Sequence, residues 1–115
     1  PAQNVYLDMA HTDNVDDWGA AWAAFVGLTD TIDWAVIPDD EIADRVLGVE
    51  GTFWSEFTTQ DQEMQAMIAP RIIGVASKGW VDEPLAQEEF LINARRFCEI
   101  FTKMEWSWNT ACFSK

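Results

Sequence analysis

The chain alternates between short apolar runs and longer segments whose apolar residues recur at helical intervals. Residues 5–9 and 47–54 are apolar runs with β-branched and aromatic members, which predicts two buried strands. The polar residues 11–17 predict a loop. Residues 18–28 follow Asp17, which can cap a helix, and are rich in small side chains. We therefore expect a strand, a loop, a helix and a second strand in the first half of the chain.

The second half predicts two helices. Thr59 and Gln62 have the spacing of a capping box, which marks a helix start. Pro70 should kink this helix because proline removes a backbone donor, and Gly79 should end it. The apolar stripe of the first helix consists of Met64, Met67, Ile68, Ile72 and Val75. A trailing helix after Pro84 carries Leu85, Phe90, Leu91, Ala94, Phe97 and Phe101.

This order of strands and helices is typical of parallel βα units and predicts an α/β fold. Two parallel strands do not make an independently stable sheet, and a closed eight-stranded α/β barrel needs about 250 residues. We therefore interpret residues 1–115 as a single segment of such a barrel. The chain opens on Pro1 rather than on an initiator methionine, as a cut inside a larger protein would leave it. We expect another chain or a missing amino-terminal part to complete the fold.

The net charge of the chain limits the classes of partner it can bind. Twenty acidic residues against seven basic ones give a net charge of −13. Nucleic acids and anionic membrane surfaces select basic proteins, so the composition argues against both as partners. No apolar run approaches the roughly 18–20 residues of a membrane span, which predicts a soluble chain.

Several chemically suggestive residues have ordinary structural explanations. Cys98 and Cys112 could form one disulfide or be two unrelated buried thiols. Glu50 lies within an apolar run, so we expect it to be buried with a polar partner. The acidic pair Asp82-Glu83 is expected on the surface.

The loop around the single histidine does not resemble a metal site. It carries His11, Asp13, Asp16 and Asp17, but Val15 stands where a calcium loop would need an oxygen ligand. A solvated loop is therefore the prediction. We expect neither a metal nor a cofactor.

Two polar-and-aromatic pairs lie at the predicted strand ends. Tyr6 and Asp8 are two residues apart and share a face, as do Trp54 and Glu56. Sites in parallel α/β barrels form at the carboxyl ends of strands, and sugars combine hydroxyls with apolar C–H faces. Trp22 would lie in a loop around the same pocket. Spacing alone slightly favours the structural alternative, in which Tyr6 and Trp54 are core residues and the two carboxylates are helix caps.

Several segments together resemble one family of enzymes. Residues 46–56, VLGVEGTFWSE, resemble the last barrel strand of the family-20 glycoside hydrolases, the β-N-acetylhexosaminidases. Residues 67–80, which begin MIAPR, resemble that family's kinked final barrel helix. Residues 5–9, VYLDM, resemble its seventh strand, and residues 19–23, GAAWA, an aromatic-bearing segment shortly after it. The resemblance implies a carboxyl-terminal portion of a (β/α)8 TIM barrel, comprising about the last two βα units and a trailing helix.

The resemblance also implies roles for five residues in substrate-assisted retaining hydrolysis, in which the sugar's own acetamide oxygen attacks the anomeric carbon. Tyr6 matches the tyrosine that holds this oxygen. Asp8 matches a carboxylate that binds the outer sugar hydroxyls, and Glu56 one that binds hydroxyls around C4. Trp22 and Trp54 match aromatic walls of the pocket.

Two features of the family have no counterpart here. Its Asp-Glu pair, which supplies the general acid, belongs to an earlier strand, and Asp82-Glu83 is no match for it. The arginine that grips ring hydroxyls is also missing, since Arg71 matches a helix arginine. We therefore expect the chain to carry half of a sugar pocket. It should hydrolyse glycans that end in N-acetylhexosamine only together with a companion polypeptide. A non-catalytic, lectin-like fragment is the alternative. The family's habits imply a secreted, periplasmic or lysosomal compartment.

Overall fold

The computed structural model describes residues 1–14, 17–82 and 84–113. Four α-helices are formed in this part of the chain: α1 (Ala2–Val5), α2 (Asp61–Ile68), α3 (Arg71–Trp80) and α4 (Gln87–Lys103). Short 3₁₀ helices cover Thr29–Thr31, Asp40–Arg45 and Thr110–Phe113. None of the helices in these ranges is long and apolar enough to cross a membrane.

The two apolar runs pair in the parallel sense at a single bridge, and a second parallel bridge lies just after the first run. Tyr6 pairs with Thr52 and Ala10 with Phe25, both in the parallel sense. The predicted strands at residues 5–9 and 47–54 are therefore wrong as continuous strands. Across the described residues each run has a bridging neighbour at one position only, and a strand needs a ladder of backbone bonds along its length. The predicted burial of Glu50 is also wrong, because its side chain is exposed.

The predicted helix over residues 18–28 is also wrong. The Ala20 amide donates to the Asp8 carbonyl at 2.8 Å, and the Val26 amide donates to the Ala10 carbonyl at 2.9 Å. Gly19 turns the chain with φ of +118°, and a Cβ there would lie 2.7 Å from the Ala10 nitrogen. The amides that a helix would use locally are thus bonded to the preceding segment.

Proline divides the next helix as predicted. Helix α2 ends at Ile68 and α3 begins at Arg71, one residue after Pro70. The capping partner differs from the prediction by one residue. The Thr59 amide donates to the Glu63 carboxylate at 2.8 Å, and this bond lowers the pKa of Glu63. Gln62 is exposed, and α3 continues one residue past Gly79.

Helix α3 packs between two apolar clusters. One is built on Val5, Leu7 and Val75, and the other on Leu28, Ile32, Phe90 and Ala94. Gly74 lets α3 approach the chain around Thr31, because a Cβ there would lie 1.7 Å from the Thr31 hydroxyl oxygen. The packing therefore holds α3 directly behind the segment that carries Tyr6 and Asp8.

The trailing helix is confirmed as α4, which buries Phe90, Ala94 and Cys98. Of the two alternatives for the cysteines, the structure has free thiols. The predictions made for Asp16 and Glu83 lie outside the described residues.

Candidate active site

The register between the two apolar runs brings Tyr6 and Trp54 together. The Leu7 amide donates to the Thr52 carbonyl at 2.8 Å, and the Thr52 amide donates to the Val5 carbonyl at 2.9 Å. Tyr6 is therefore held opposite Thr52, two residues before Trp54. The two rings meet edge to face, with centroids 6.4 Å apart and planes at 61°. Trp54 keeps 61% of its surface exposed.

Asp8 presents an unpaired carboxylate oxygen. Its Oδ1 is buried and forms no hydrogen bond within residues 1–14, 17–82 and 84–113. Buried polar atoms are normally hydrogen-bonded, and an unpaired one is costly. A ligand hydroxyl that donated to this oxygen would remove that cost. The arrangement suits a carboxylate that binds hydroxyls better than it suits a helix cap.

A backbone hydrogen bond joins the turn that carries Trp22 to the segment that carries Asp8. The bond from the Ala20 amide to the Asp8 carbonyl anchors a tight turn in which the Ala23 amide donates back to the Ala20 carbonyl at 3.0 Å. Trp22 lies in this turn with 77% of its surface exposed. An exposed indole on an anchored turn can cover one side of a ligand held at Asp8.

Glu56 follows Trp54 by two residues and is exposed. Ser55 between them adopts a left-handed backbone with φ of 57°, which bends the chain at this point. No hydrogen bond joins Glu56 to the other four predicted residues in the part of the chain that the structure describes. The structure thus joins Tyr6 to Trp54 by ring contact and Asp8 to the Trp22 turn by a backbone bond, while Glu56 follows along the chain.

The single histidine is buried, which the polar sequence around it does not indicate. His11 is only 5% exposed, so the predicted solvated position is wrong. Its Nε2 lies 3.1 Å from the Met67 carbonyl, which can only accept, so Nε2 carries the proton. Its Nδ1, 2.6 Å from the Cys112 sulfur, then accepts from the thiol. Burial lowers the pKa of His11 to about 3 and raises that of Cys112 to about 12, so both groups are neutral at pH 7.

Acid should destabilise the protein through His11. Its pKa is about 3 when folded and about 6.5 when unfolded, so the unfolded state binds the proton more tightly. The stabilising contribution is complete above pH 6.5 and is lost at about 1.4 kcal/mol per pH unit as the pH falls toward 3. Thermal unfolding at pH 7, 6 and 5 should show this loss in the full-length protein, meaning this chain together with the rest of the barrel that its sequence predicts. His11→Gln keeps an N–H donor without titrating and should show a smaller decline. Equal declines in both proteins would contradict the assignment.

No group of three or more histidine, cysteine or carboxylate side chains able to hold a metal occurs in residues 1–14, 17–82 and 84–113. The arrangement at Tyr6, Asp8 and Trp54 instead offers a hydroxyl, a carboxylate and exposed indole faces. Such groups can hold a polyhydroxylated ligand that has one apolar face.

The sequence matches the model of the glycosyl hydrolase family 20 catalytic domain over residues 1–83. The chain belongs to glycosyl hydrolase family 20. Its curated relatives include a β-N-acetylhexosaminidase of Cellulomonas fimi, 35% identical over 83 residues, which covers 70% of this chain and 16% of the relative. A β-hexosaminidase of Vibrio vulnificus is 28% identical over 101 residues, covering 70% of this chain and 12% of the relative. The family-20 chain thus spans less than a fifth of the length of these relatives.

Solved family-20 structures share the fold. The exo-β-N-acetylglucosaminidase of Vibrio harveyi, crystallised with N-acetylglucosamine, superposes with a TM-score of 0.86 at 24% identity over 96% of this chain and 18% of that one. The β-N-acetylhexosaminidase of Streptomyces coelicolor A3(2) superposes with a TM-score of 0.82 at 25% identity, covering 96% of this chain and 23% of that one. These neighbours are TIM-barrel enzymes, and this family-20 chain matches a fragment of their fold.

Proposed function

We propose that the chain is the carboxyl-terminal part of the catalytic barrel of a β-N-acetylhexosaminidase. It would supply about the last two βα units and a trailing helix, together with one side of the sugar pocket. The observation that carries this proposal is that Tyr6, which contacts Trp54, lies two residues before Asp8 with its unpaired carboxylate oxygen. Family membership and the fold match support it.

In the proposed reaction the acetamide oxygen of a terminal N-acetylhexosamine attacks its own anomeric carbon. Tyr6 donates a hydrogen bond to that oxygen and holds it in line. Asp8 and Glu56 accept hydrogen bonds from ring hydroxyls, and Trp22 and Trp54 enclose the acetamide and the sugar face. Because the acetamide is the nucleophile, the protein needs no nucleophilic side chain of its own.

The general acid would come from outside residues 1–115, from the amino-terminal part of the barrel or from a companion polypeptide. The short coverage of the relatives supports this division. Exposed apolar side chains support it too, since Leu47, Phe57 and Trp80 are the kind of surface that another part of a barrel would cover. The proposed compartment is secreted, periplasmic or lysosomal. The acidic composition is compatible with each of these.

The test uses the full-length protein and an aryl N-acetylhexosaminide. Turnover by the wild type is the expected result. Binding of N-acetylhexosamine without turnover would favour a lectin-like protein. A protein that shows no binding and no turnover would refute the proposed pocket.

Substitutions at two positions test the sugar-binding residues separately from the chemistry. Glu56→Gln keeps the shape but loses charge-assisted hydrogen bonds, each worth about 1.5–3 kcal/mol, so the Kd of an N-acetylhexosamine inhibitor should rise about 10- to 100-fold. Trp54→Ala should also weaken binding, and Trp54→Phe should weaken it less because it keeps an aromatic face. Calorimetric titration measures each Kd. Glu41→Gln, at an exposed position outside the site, is the charge-matched control. Unchanged affinity in both Glu56→Gln and Trp54→Ala would show that the pocket is misassigned.

A further inference from the structure

Arg71 is a fully buried cation surrounded by backbone carbonyls. It is the first residue of α3 and has 0% of its surface exposed. Its Nε donates to the Met67 carbonyl at 3.0 Å, and Nη1 donates at 2.8 Å to each of the Met9 and Val26 carbonyls. Its Nη2 donates to the Leu7 carbonyl and, at 2.7 Å, to the Met67 carbonyl. The guanidinium has five N–H donors, and five hydrogen bonds use them.

These contacts are unusual because every acceptor is a carbonyl and none is a carboxylate. A buried cation is costly unless its hydrogen bonds are satisfied, and here bonds to neutral acceptors satisfy it. Burial lowers the pKa of Arg71 to about 10, so the group is still charged at neutral pH. A planar fork with five fixed donors can join several carbonyls in one plane, which the single ammonium group of lysine cannot do.

The carbonyls that Arg71 holds include those on both sides of Asp8. Leu7 and Met9 are bonded to the same guanidinium, while the Asp8 carbonyl accepts from the Ala20 amide. Three successive carbonyls are therefore fixed. The Asp8 Oδ1 atom has no partner of its own in the described residues, so the direction of this carboxylate depends on the backbone that carries it.

Arg71 also joins this segment to the turn that carries Trp22. The Val26 carbonyl belongs to the chain that returns from that turn, and it shares Nη1 with the Met9 carbonyl. The Val26 amide in turn donates to the Ala10 carbonyl. One side chain therefore sets the distance between the backbone at Asp8 and the end of the Trp22 turn.

We propose that Arg71 is a positioning residue for sugar binding, which holds Asp8 and the Trp22 turn in place through the carbonyls of Leu7, Met9 and Val26. The proposal rests on the proposed function, since it takes Asp8 to be the group that binds substrate hydroxyls. Arg71 itself does not contact the sugar. Its effect on activity must therefore pass through the residues it holds, above all Asp8.

The experiment is a double-mutant cycle in the full-length protein with Arg71→Lys and Asp8→Asn, measured as kcat/KM on an aryl N-acetylhexosaminide. Because a misplacement of about 1 Å can cost about 100-fold, Arg71→Lys should lower kcat/KM by about that factor. The change should appear mainly as a higher KM, since Asp8 is taken to bind substrate hydroxyls and not the reacting atoms. In the Asp8→Asn background the same substitution should cost about tenfold or less, because only the Trp22 turn is then left to be misplaced. Full multiplication of the two losses would overturn the proposal.

Controls separate positioning from loss of stability. Phe90→Leu lies in the cluster on the far side of α3 and should lower the melting temperature without changing KM. Arg45→Lys, at an exposed position, should change neither quantity. If Arg71→Lys does not fold, Arg71→Gln, which is uncharged and keeps an amide donor, replaces it in the same cycle. A KM equal to the wild type in the folded variant would overturn the proposal.

The same measurements keep the two proposals apart. A wild-type protein that neither binds nor hydrolyses the N-acetylhexosaminide would refute the proposed function and this inference together. An active wild type with an unaffected Arg71→Lys variant would refute the inference alone.

Discussion

Replacing Tyr6 by phenylalanine should lower kcat on an aryl N-acetylglucosaminide about 100-fold while KM changes little. This fall corresponds to about 2.7 kcal/mol of transition-state stabilisation. The Tyr6 hydroxyl has no hydrogen bond within the described residues, so it is free to donate to a ligand. If the acetamide oxygen is the nucleophile, this donation matters most as the oxygen approaches the anomeric carbon. An interaction made chiefly in the transition state lowers kcat and kcat/KM together.

The substitution should remove the hydroxyl and leave the contacts of Tyr6 in the structure unchanged. Phenylalanine keeps the ring and therefore the edge-to-face contact with Trp54. The backbone pairing with Thr52 does not involve the side chain. An unchanged melting temperature is the control for folding. A rise in KM alone would make Tyr6 a ground-state binder, and no change in either constant would make it a core residue.

The isolated 115-residue chain should neither unfold cooperatively nor hydrolyse substrate. In the described residues its parallel pairing consists of single bridges, and two-stranded pairings are marginal without further strands. Large apolar side chains such as Leu47 and Trp80 are exposed, the latter to 89%. The proposed general acid lies outside the chain, so turnover should be at background level even in molecules that are folded.

Circular dichroism during heating and an assay with an aryl N-acetylhexosaminide measure both parts of this prediction. The full-length protein at the same molar concentration is the control and should show a sigmoidal transition and turnover. Hydrolysis by the isolated chain would place the general acid within residues 1–115. A sigmoidal transition without hydrolysis would contradict the stability argument and leave the missing acid as the explanation for inactivity.

The candidate site was predictable as a set of residue types but not as an arrangement. Spacing placed Tyr6 with Asp8 and Trp54 with Glu56, and the resemblance attached roles to them. The contact between Tyr6 and Trp54 requires that Tyr6 pair with Thr52 and not with a neighbouring residue, although the two segments are more than forty residues apart. A local pattern does not specify such a register when only one pair of residues bridges. The assigned roles remain predictions that the substitutions above test.

Arg71 and His11 show what local pattern alone does not determine. Arg71 occurs four residues after Met67 and four before Val75, on the apolar stripe of the kinked helix. A charged side chain on the buried face of a helix needs hydrogen-bond partners in the interior, so the position of Arg71 indicates that such partners exist. Apart from the Met67 carbonyl, however, its acceptors are carbonyls from residues 7, 9 and 26, and no periodicity in those segments marks them as acceptors. His11 has an acidic and polar neighbourhood in the sequence, yet it is buried by Met67 and Cys112 from distant parts of the chain.

The sequence by itself determined the break at Pro70 and the helix α4. These features depend on local chemistry, since proline lacks an N–H and apolar side chains at helical spacing bury one face wherever a core forms. Only the tertiary structure decided that residues 18–28 form a turn and a bridge rather than a helix. There the Asp8 and Ala10 carbonyls take the amides of Ala20 and Val26, and Gly19 makes the close approach possible. Long-range hydrogen bonds overrule local propensity at such points because helix propensity differs by less than about 1 kcal/mol per residue, whereas an unpaired buried backbone group costs more.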